Sequence, residues 1–434
     1  MTTLISELSF NIAKYFIIIT DIIILLIVLI CYGHRLFHAI HGLFCKKVTY
    51  PSSNKKHKYG YLITARNEEN VIGYLIDSIK NQNYPQELMR IFVVADNCTD
   101  KTAEISRNKG AIVFERFNKK LIGKSYALEL AFKEIMSNKE YDDIEAFILF
   151  DADNLLSKEY TNEINKAYDQ GNKVIASFRH SKNFSSSWVA AGQSIFFYYE
   201  MLMVHRSRAS LNMGTAISGT GFLIDRSVME FYGGWIFHTL IEDVEFSLNC
   251  AVDNIKIAFC EDAVFYDEQP RTAKDSFVQR MRWCKGLKES FFKYTKKILS
   301  KKNAHFNQLV FELLIQIAPV TNIPICWAII NVIYGIVFTC LGFIEVQVFL
   351  NYILICLITI FVILILNFWF ISFSVIIKYN KIIKSSKTKK FVGAVLYPLF
   401  MLMYLPISIV AQLKNVEWVP TPHKENISID KIEK

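Results

Sequence analysis

The sequence predicts an α/β domain built on a mostly parallel sheet and inserted between apolar helices. Three observations carry that expectation. Between Tyr59 and Phe150, short apolar runs alternate with segments of helical spacing, the pattern of a parallel sheet with both faces covered. The runs end in polar clusters, which mark the strand exits. Outside that stretch lie four long apolar runs, Tyr15–Gly33, Leu309–Phe343, Val348–Ile377 and Phe391–Leu413. Each is long enough for a helix that crosses a hydrocarbon core, which takes roughly 20 residues.

The first run is too long for the apolar core of a signal peptide, no small-residue cleavage site follows, and Glu7 offsets Lys14 before it. Residues 1–33 therefore read as a transmembrane helix, in which Asp21 needs water or a partner. His34 to Lys47 mixes basic residues with Leu36, Phe37, Ile40, Leu43 and Phe44, as a helix lying on a membrane surface does. With the polar linker Pro51–Lys58 it completes a segment 34–58.

Tyr59–Ala65 is the first strand. Val71, Ile72, Leu75, Ile76 and Ile79 then recur at helical spacing, and Asn83-Tyr84-Pro85 closes that helix. Strand Ile91–Ala95, the turn Asp96 to Asp100, a helix to Lys109, strand Ala111–Glu115, helix Lys124–Met136 and strand Ala146–Phe150 follow. Ser187–Arg208 reads as one long aromatic helix. The domain is assigned to 59–272, amphipathic interfacial helices to 273–308, transmembrane helices to 309–413 and a polar tail to 414–434.

In 434 residues, 52% are apolar, more than an ordinary soluble enzyme carries, and the net charge is +9. The positive charge flanks the apolar runs: Arg35, Lys46, Lys47, Lys55, Lys56 and Lys58 after the first, Lys296, Lys297, Lys301 and Lys302 before the second, and Lys378, Lys381, Lys384, Lys387, Lys389 and Lys390 before the last. The link around Glu345 and Gln347 has none. The positive-inside rule then places the middle domain in the cytoplasm of a multi-pass plasma-membrane protein. Charge arranged this way, instead of on one face, excludes a nucleic-acid partner. Nine cysteines without C-x-x-C spacing read as reduced filler.

The chemistry centres on Asp151-Ala152-Asp153-Asn154, at the exit of a buried strand. Two carboxylates one residue apart are costly to leave unpaired, and a divalent cation would hold both. By itself the triplet also reads as a polar turn. Yet Arg66, Asn67, Asp96, Asp151 and Asp153 lie at three strand exits, where open α/β sheets bind ligands. No glycine-rich phosphate loop is present, so a cation bridging diphosphate oxygens is the alternative. Ser218-Gly219-Thr220-Gly221 is either a plain turn or a place for close ligand approach. Glu242-Asp243 opens a helix, where the dipole alone favours acids. Gln279-Arg280-Met281-Arg282-Trp283 suits an interfacial helix, and equally a diphosphate clamp with an aromatic platform for a sugar.

The acidic exit at Asp96, then Asp151-Ala152-Asp153, Glu242-Asp243 and Gln279-Arg280-Met281-Arg282-Trp283, in that order between apolar helices, resemble the inverting, processive family-two glycosyltransferases of membranes: the cellulose, hyaluronan and poly-N-acetylglucosamine synthases. The likeness covers Tyr59 to Trp283, and the last motif is its most specific part. It implies a GT-A-type nucleotide-diphospho-sugar transferase fold and a UDP-sugar donor, UDP-glucose before UDP-N-acetylglucosamine. By matching positions, Asp96 contacts the uridine with Arg66 and Asn67 nearby, and Lys124 lies near the nucleotide. Asp151 and Asp153 hold the diphosphate through Mg2+ or Mn2+. Asp243 is the general base with Glu242 in support, and Gln279, Arg280 and Arg282 hold the departing UDP. Trp283 stacks the acceptor, with Gly219 and Thr220 beside it. The implied function is a processive β-glycan synthase that secretes a growing polysaccharide through its own helices. The alternative is a non-processive membrane transferase that adds one sugar to a lipid-linked or short glycan acceptor. Two features depart from the family: Ile241 stands where cellulose synthases usually carry Thr, and no PilZ-like domain follows the last span. Trp418–Lys424 is similar to a cytosolic tail of related synthases.

Overall fold

The computed structural model describes residues 2–300, 308–318, 322–414, 416 and 427–433. The central strands are apolar at consecutive positions because helices cover both faces of the sheet. Strands β1 (Tyr59–Ala65), β2 (Met89–Asp96), β3 (Ile112–Arg116), β4 (Ala146–Asp151), β5 (Leu155–Leu156), β6 (Val174–Ser181), β7 (Phe222–Asp225) and β8 (Ile257–Asp267) form one sheet. Their spatial order is β3-β2-β1-β4-β7-β6-β8-β5. β1 runs parallel to β2 and β4, and β2 to β3. β7 enters antiparallel between β4 and β6, and β8 returns parallel to β6. This is the mixed, mostly parallel sheet expected from the alternation.

The two-residue period of a strand sends neighbours to opposite faces. Leu62, Phe92, Phe147 and Leu149 go to one core, with Leu128 and Phe132 of the helix Lys124–Ser137. Tyr61, Ile63, Ile148 and Phe150 go to the other, with Ile76 of the helix Ile72–Lys80 and Ile164 of Tyr160–Asp169. After β1 and β2 the chain turns sharply through Asn67 (φ 56°) and Asn97 (φ 53°), since asparagine tolerates the left-handed region.

The N-terminal helix is continuous from Thr2 to Phe44, so the separate surface helix expected from His34 is the end of the first apolar helix. Its last turns bury His38 and Ala39, and a Cβ on Gly42 would come within 2.8 Å of Met203 Cα. The expected long helix Ser187–Arg208 is an α-helix, Trp188–Tyr199, then a π-helical turn, Glu200–His205, then Arg206–Ser210.

The second apolar run divides in two. Gln308–Ile317 lies on the catalytic domain, with Leu309, Val310, Leu313 and Ile317 packed on Leu248, Val252 and Tyr294. Glu312 inside it accepts two hydrogen bonds from Arg208, at 3.0 and 2.8 Å. Asn322–Cys340 follows as a separate helix. Asp21 has its partners there, Trp327 Nε1 at 2.5 Å and Asn331 Nδ2 at 2.9 Å. Among the described residues three segments are long and apolar enough to cross a membrane: Ile17–Phe44, Val346–Lys378 and Lys387–Leu413. The last is broken at Met403, between helices Lys387–Leu402 and Tyr404–Leu413. Pro406 explains the break, because it has no N–H to offer the preceding turn. The tail motif Trp418–Lys424 and the basic pair Lys301 and Lys302 lie outside the described residues.

Helix Lys387–Leu402 seats on Trp188–Tyr199 through small residues, with the Cβ position of Gly393 3.1 Å from Ala191 Cβ and that of Gly192 2.8 Å from Phe400 Cβ. Gly192→Leu is expected to unseat this contact and destabilise the protein by about 1–3 kcal/mol, the usual range for overpacking. Thermal unfolding in detergent micelles would show it as a lowered Tm.

Candidate active site

A cavity of about 340 Å³ opens at the carboxyl ends of β1, β2 and β4. Its wall includes Arg66, Asp96, Lys124, Asp151 and Asp153 at the strand exits, Glu242, Asp243, Gln279, Arg282 and Trp283 from two helices, and Leu313, Gln316 and Tyr404 from the apolar helices.

At the strand exits Asp96 and Asp151 are each met by a cation from another element. Asp96 is 4% exposed and accepts a hydrogen bond from Arg116 Nη1, at the end of β3, at 2.7 Å. Gly123, with φ 134°, takes a conformation that L side chains rarely adopt, and so sets Lys124 at the first position of its helix. From there Lys124 Nζ reaches an Asp151 oxygen and also donates to the Gly219 carbonyl at 2.6 Å. The lysine thereby ties the β4 exit to the loop before β7. Asp153 is 3% exposed, and its Oδ2 accepts from the Glu268 backbone N–H at 3.1 Å.

A second group of acids lies at the start of helix Glu242–Val252. Burial raises the Asp243 carboxyl, against the pull of Lys124, Arg282 and Arg179. Burial first, then the Asp243 charge, pushes Glu242 up to about 7. A third acid in the same turn, Glu245, is structural: it accepts from Thr239 N at 2.7 Å, Lys293 Nζ at 2.6 Å and Tyr294 Oη at 2.5 Å. Those bonds hold the helix start against the helix Ala273–Ser300. Gly219, with φ 82°, faces Asp243 so closely that a Cβ would lie 3.5 Å from Oδ2.

On Ala273–Ser300, Arg282 donates to the Leu240 carbonyl at 2.9 Å, and Gln279 accepts from Gln193 Nε2 at 2.6 Å. Trp283 sits beside Phe196 and Phe197, with ring centroids 6.4 and 6.1 Å away.

Three expected contacts are placed elsewhere. Arg280 is fully buried on the other side of the helix, where both Nη atoms donate to the Phe400 carbonyl at 3.1 Å and the guanidinium covers the Tyr404 ring at 3.6 Å. Residues two apart on a helix do not share a face, so the expected two-arginine clamp reduces to Arg282. Asn67 is outside the cavity wall; its side-chain oxygen accepts from Thr99 N at 2.8 Å and clamps two strand exits together. Thr220 also lies behind the wall, accepting from Asp151 N at 2.9 Å and donating to Asn154.

Sequence reasoning missed Arg116, Arg179 and Asp267. Arg179 lies inside β6, lines the cavity, donates to the Ser218 carbonyl and approaches Asp267 Oδ2 at 3.6 Å. Asp267, at the end of β8, is an acidic strand exit like Asp96, a signal that was readable.

The acids also bear on a cation. Among the described residues no three His, Cys, Asp or Glu side chains form a ready metal cage. Mg2+-type sites take one or two carboxylates and complete their shell from phosphates and water. Asp267 is pushed up to about 6, by burial first and, against Arg179, by Asp153 and Asp151. That excess of negative charge on hard oxygen donors fits a divalent cation held by Asp151 and Asp153.

Residues 57–286 match the family model described as Glycosyltransferase like family 2. Probable glycosyltransferase YdaM of Bacillus subtilis is 29% identical over 270 residues, 59% of this chain and 60% of that protein. A beta-monoglucosyldiacylglycerol synthase of Nostoc sp. is 25% identical over 278 residues, 61% of this chain and 56% of that protein. The matches thus span less than two thirds of these relatives' own length. Among solved structures, the mannosyltransferase PcManGT of Pyrobaculum calidifontis, in complex with GDP-Man and Mn2+, has a TM-score of 0.56 at 13% identity, over 90% of this chain and 98% of that one. With the family model covering more than half of the sequence, this chain belongs to glycosyltransferase family 2 and has its GT-A fold.

Proposed function

We propose that this protein is an inverting hexosyltransferase that moves one sugar from a UDP-sugar to a hydroxyl of a membrane lipid, at the cytoplasmic face. One observation carries the proposal. One cavity is lined by Asp96 and Asp151, by Asp243, and by Leu313 and Tyr404 of the apolar helices. A donor can thus enter from water and an acceptor from the membrane side. The glycolipid synthases among the relatives support a single transfer. The polymerising reading keeps one supporting feature, the aromatic group of Trp283, Phe196 and Phe197 on the cavity wall.

Inversion requires one in-line displacement, a base on the acceptor side and positive charge on the leaving side. Asp243 would take the acceptor proton on a carboxylate oxygen, and its raised pKa makes it a stronger base than an exposed aspartate. Lys124, Arg179 and Arg282 supply the positive charge. Bound Mg2+ or Mn2+, held by Asp151 and Asp153, would neutralise the donor diphosphate.

The direct test supplies the purified protein with labelled UDP-glucose or UDP-N-acetylglucosamine, Mg2+ or Mn2+, and phosphatidylcholine vesicles containing dioleoylglycerol. A lipid carrying one added sugar is the expected product; a long polymer would overturn the single-transfer reading. Asp243→Asn should lower turnover by roughly 100-fold or more, the usual worth of a general base, while calorimetry shows UDP still binding. Arg282→Ala should weaken UDP binding, whereas Arg280→Ala should lower Tm with the UDP Kd unchanged.

Glu242 gives a pH test. Its ordinary value is 4.5 and its folded value about 7. The folded site therefore holds its proton more tightly than the unfolded chain, and stability falls as pH rises through that interval. Glu242→Gln removes the loss. Its Tm advantage over the parent is expected to be larger at about pH 8 than at about pH 5, as read by differential scanning calorimetry.

A further inference from the structure

The cavity wall opposite Asp243 contains a carboxyl that none of the chemistry above uses. The π-helical turn Glu200–His205 interrupts what would otherwise be one long helix. Glu200, Val204 and His205 of this turn, and Arg208 in the helix after it, line the cavity. Such turns recur at functional sites. The neighbouring polar groups are already engaged. His205 Nδ1 is 2.5 Å from Thr215 Oγ1, Arg208 is held by Glu312, and Arg179 is held by the Ser218 carbonyl and Asp267. Among the described residues the Glu200 carboxyl has no hydrogen bond or ion pair. Burial raises its pKa, against the pull of Arg35, Arg179 and Arg208, and the Asp243 charge adds a smaller rise. A part-buried carboxyl that lines the cavity without a protein partner is placed to accept a hydrogen bond from a ligand hydroxyl.

The same wall tells which ligand. Phe196, Phe197 and Trp283 supply apolar contact, while Glu200 and Asp243 are both acidic. Of the arginines whose charge reaches Glu200, Arg208 is held by Glu312, Arg179 by Asp267, and Arg35 is outside the cavity wall. A phosphate-bearing acceptor would meet two carboxyls here and no open cation on this turn, whereas an uncharged hydroxylated head group meets a hydrogen-bond acceptor.

We propose that Glu200 is the acceptor-selecting residue: its carboxyl oxygen accepts a hydrogen bond from the uncharged hydroxylated head group that Asp243 deprotonates, and it disfavours acceptors bearing phosphate. This rests on the transferase reading above and adds the acceptor's chemistry. Such a head group is either the glycerol of a lipid or a sugar, and the test separates the two.

Three acceptors are compared with labelled UDP-sugar and Mg2+ or Mn2+: dioleoylglycerol in phosphatidylcholine vesicles, octyl β-glucoside, and undecaprenyl phosphate in the same vesicles. The parent is expected to use an uncharged acceptor and to leave the phosphate unmodified. Glu200→Gln, whose neutral amide oxygen accepts a weaker hydrogen bond than a carboxylate, should raise the KM for that acceptor about tenfold. Its kcat should move less, and its Kd for UDP should stay unchanged and report an intact fold. An unchanged acceptor KM in Glu200→Gln, with dioleoylglycerol still glycosylated, overturns the role of Glu200 and leaves the lipid acceptor standing. Use of octyl β-glucoside alone overturns the lipid acceptor and leaves Glu200 to be judged on its KM shift. Preference for undecaprenyl phosphate overturns the assignment outright.

Discussion

The hydrogen bonds of Lys124, one to Asp151 and one to the Gly219 carbonyl, illustrate the constraint on which the site depends. A parallel sheet delivers its strand exits to one edge, and here several of those exits end in carboxylates. Unanswered, they would repel one another in a partly dehydrated crevice. Asp96 has Arg116, Asp151 has Lys124 and Asp267 has Arg179, each cation coming from a different element. The edge is held together by those cross-links, and two of the cations, Lys124 and Arg179, also line the cavity.

The membrane side of the molecule is joined to this edge through packing and one buried cation. Pro406 breaks the last apolar segment, and just before the break the Phe400 carbonyl accepts both Nη hydrogen bonds of Arg280. Gly192 and Gly393 let the same segment lie directly on the aromatic helix of the catalytic domain. Glu312, in an apolar helix too short to span, is matched by Arg208 and His38. The apolar helices are thus pinned to the transferase domain by polar contacts as well as by their surfaces.

How much of this was legible depended on whether the signal was local. The alternation from Tyr59 to Phe150 gave the sheet, and Asp96 and Asp151 gave its functional edge, because strand exits are visible in a linear pattern. The reading of Arg280 went astray because a motif groups residues by sequence, while a helix separates residues two apart onto different faces. Arg179 was out of reach, lying in a strand whose apolar neighbours gave no sign of a site. Glu200 was hidden for another reason: the sequence shows one aromatic helix, and the widened turn that aims the carboxyl is a tertiary effect. The order of motifs pointed toward polymer synthases, whereas the family-two relatives that align over most of the domain include makers of single-sugar glycolipids.

The helix Ala273–Ser300 carries Arg280 on one side, against the broken apolar segment, and Arg282 and Trp283 on the cavity side. A helix turns as a rod. Any rotation that loosens the Phe400 contact therefore swings Arg282 and Trp283 as well. The apolar segment Lys387–Leu413 and the cavity wall are thus fastened to one helix, so a displacement of either is carried to the other.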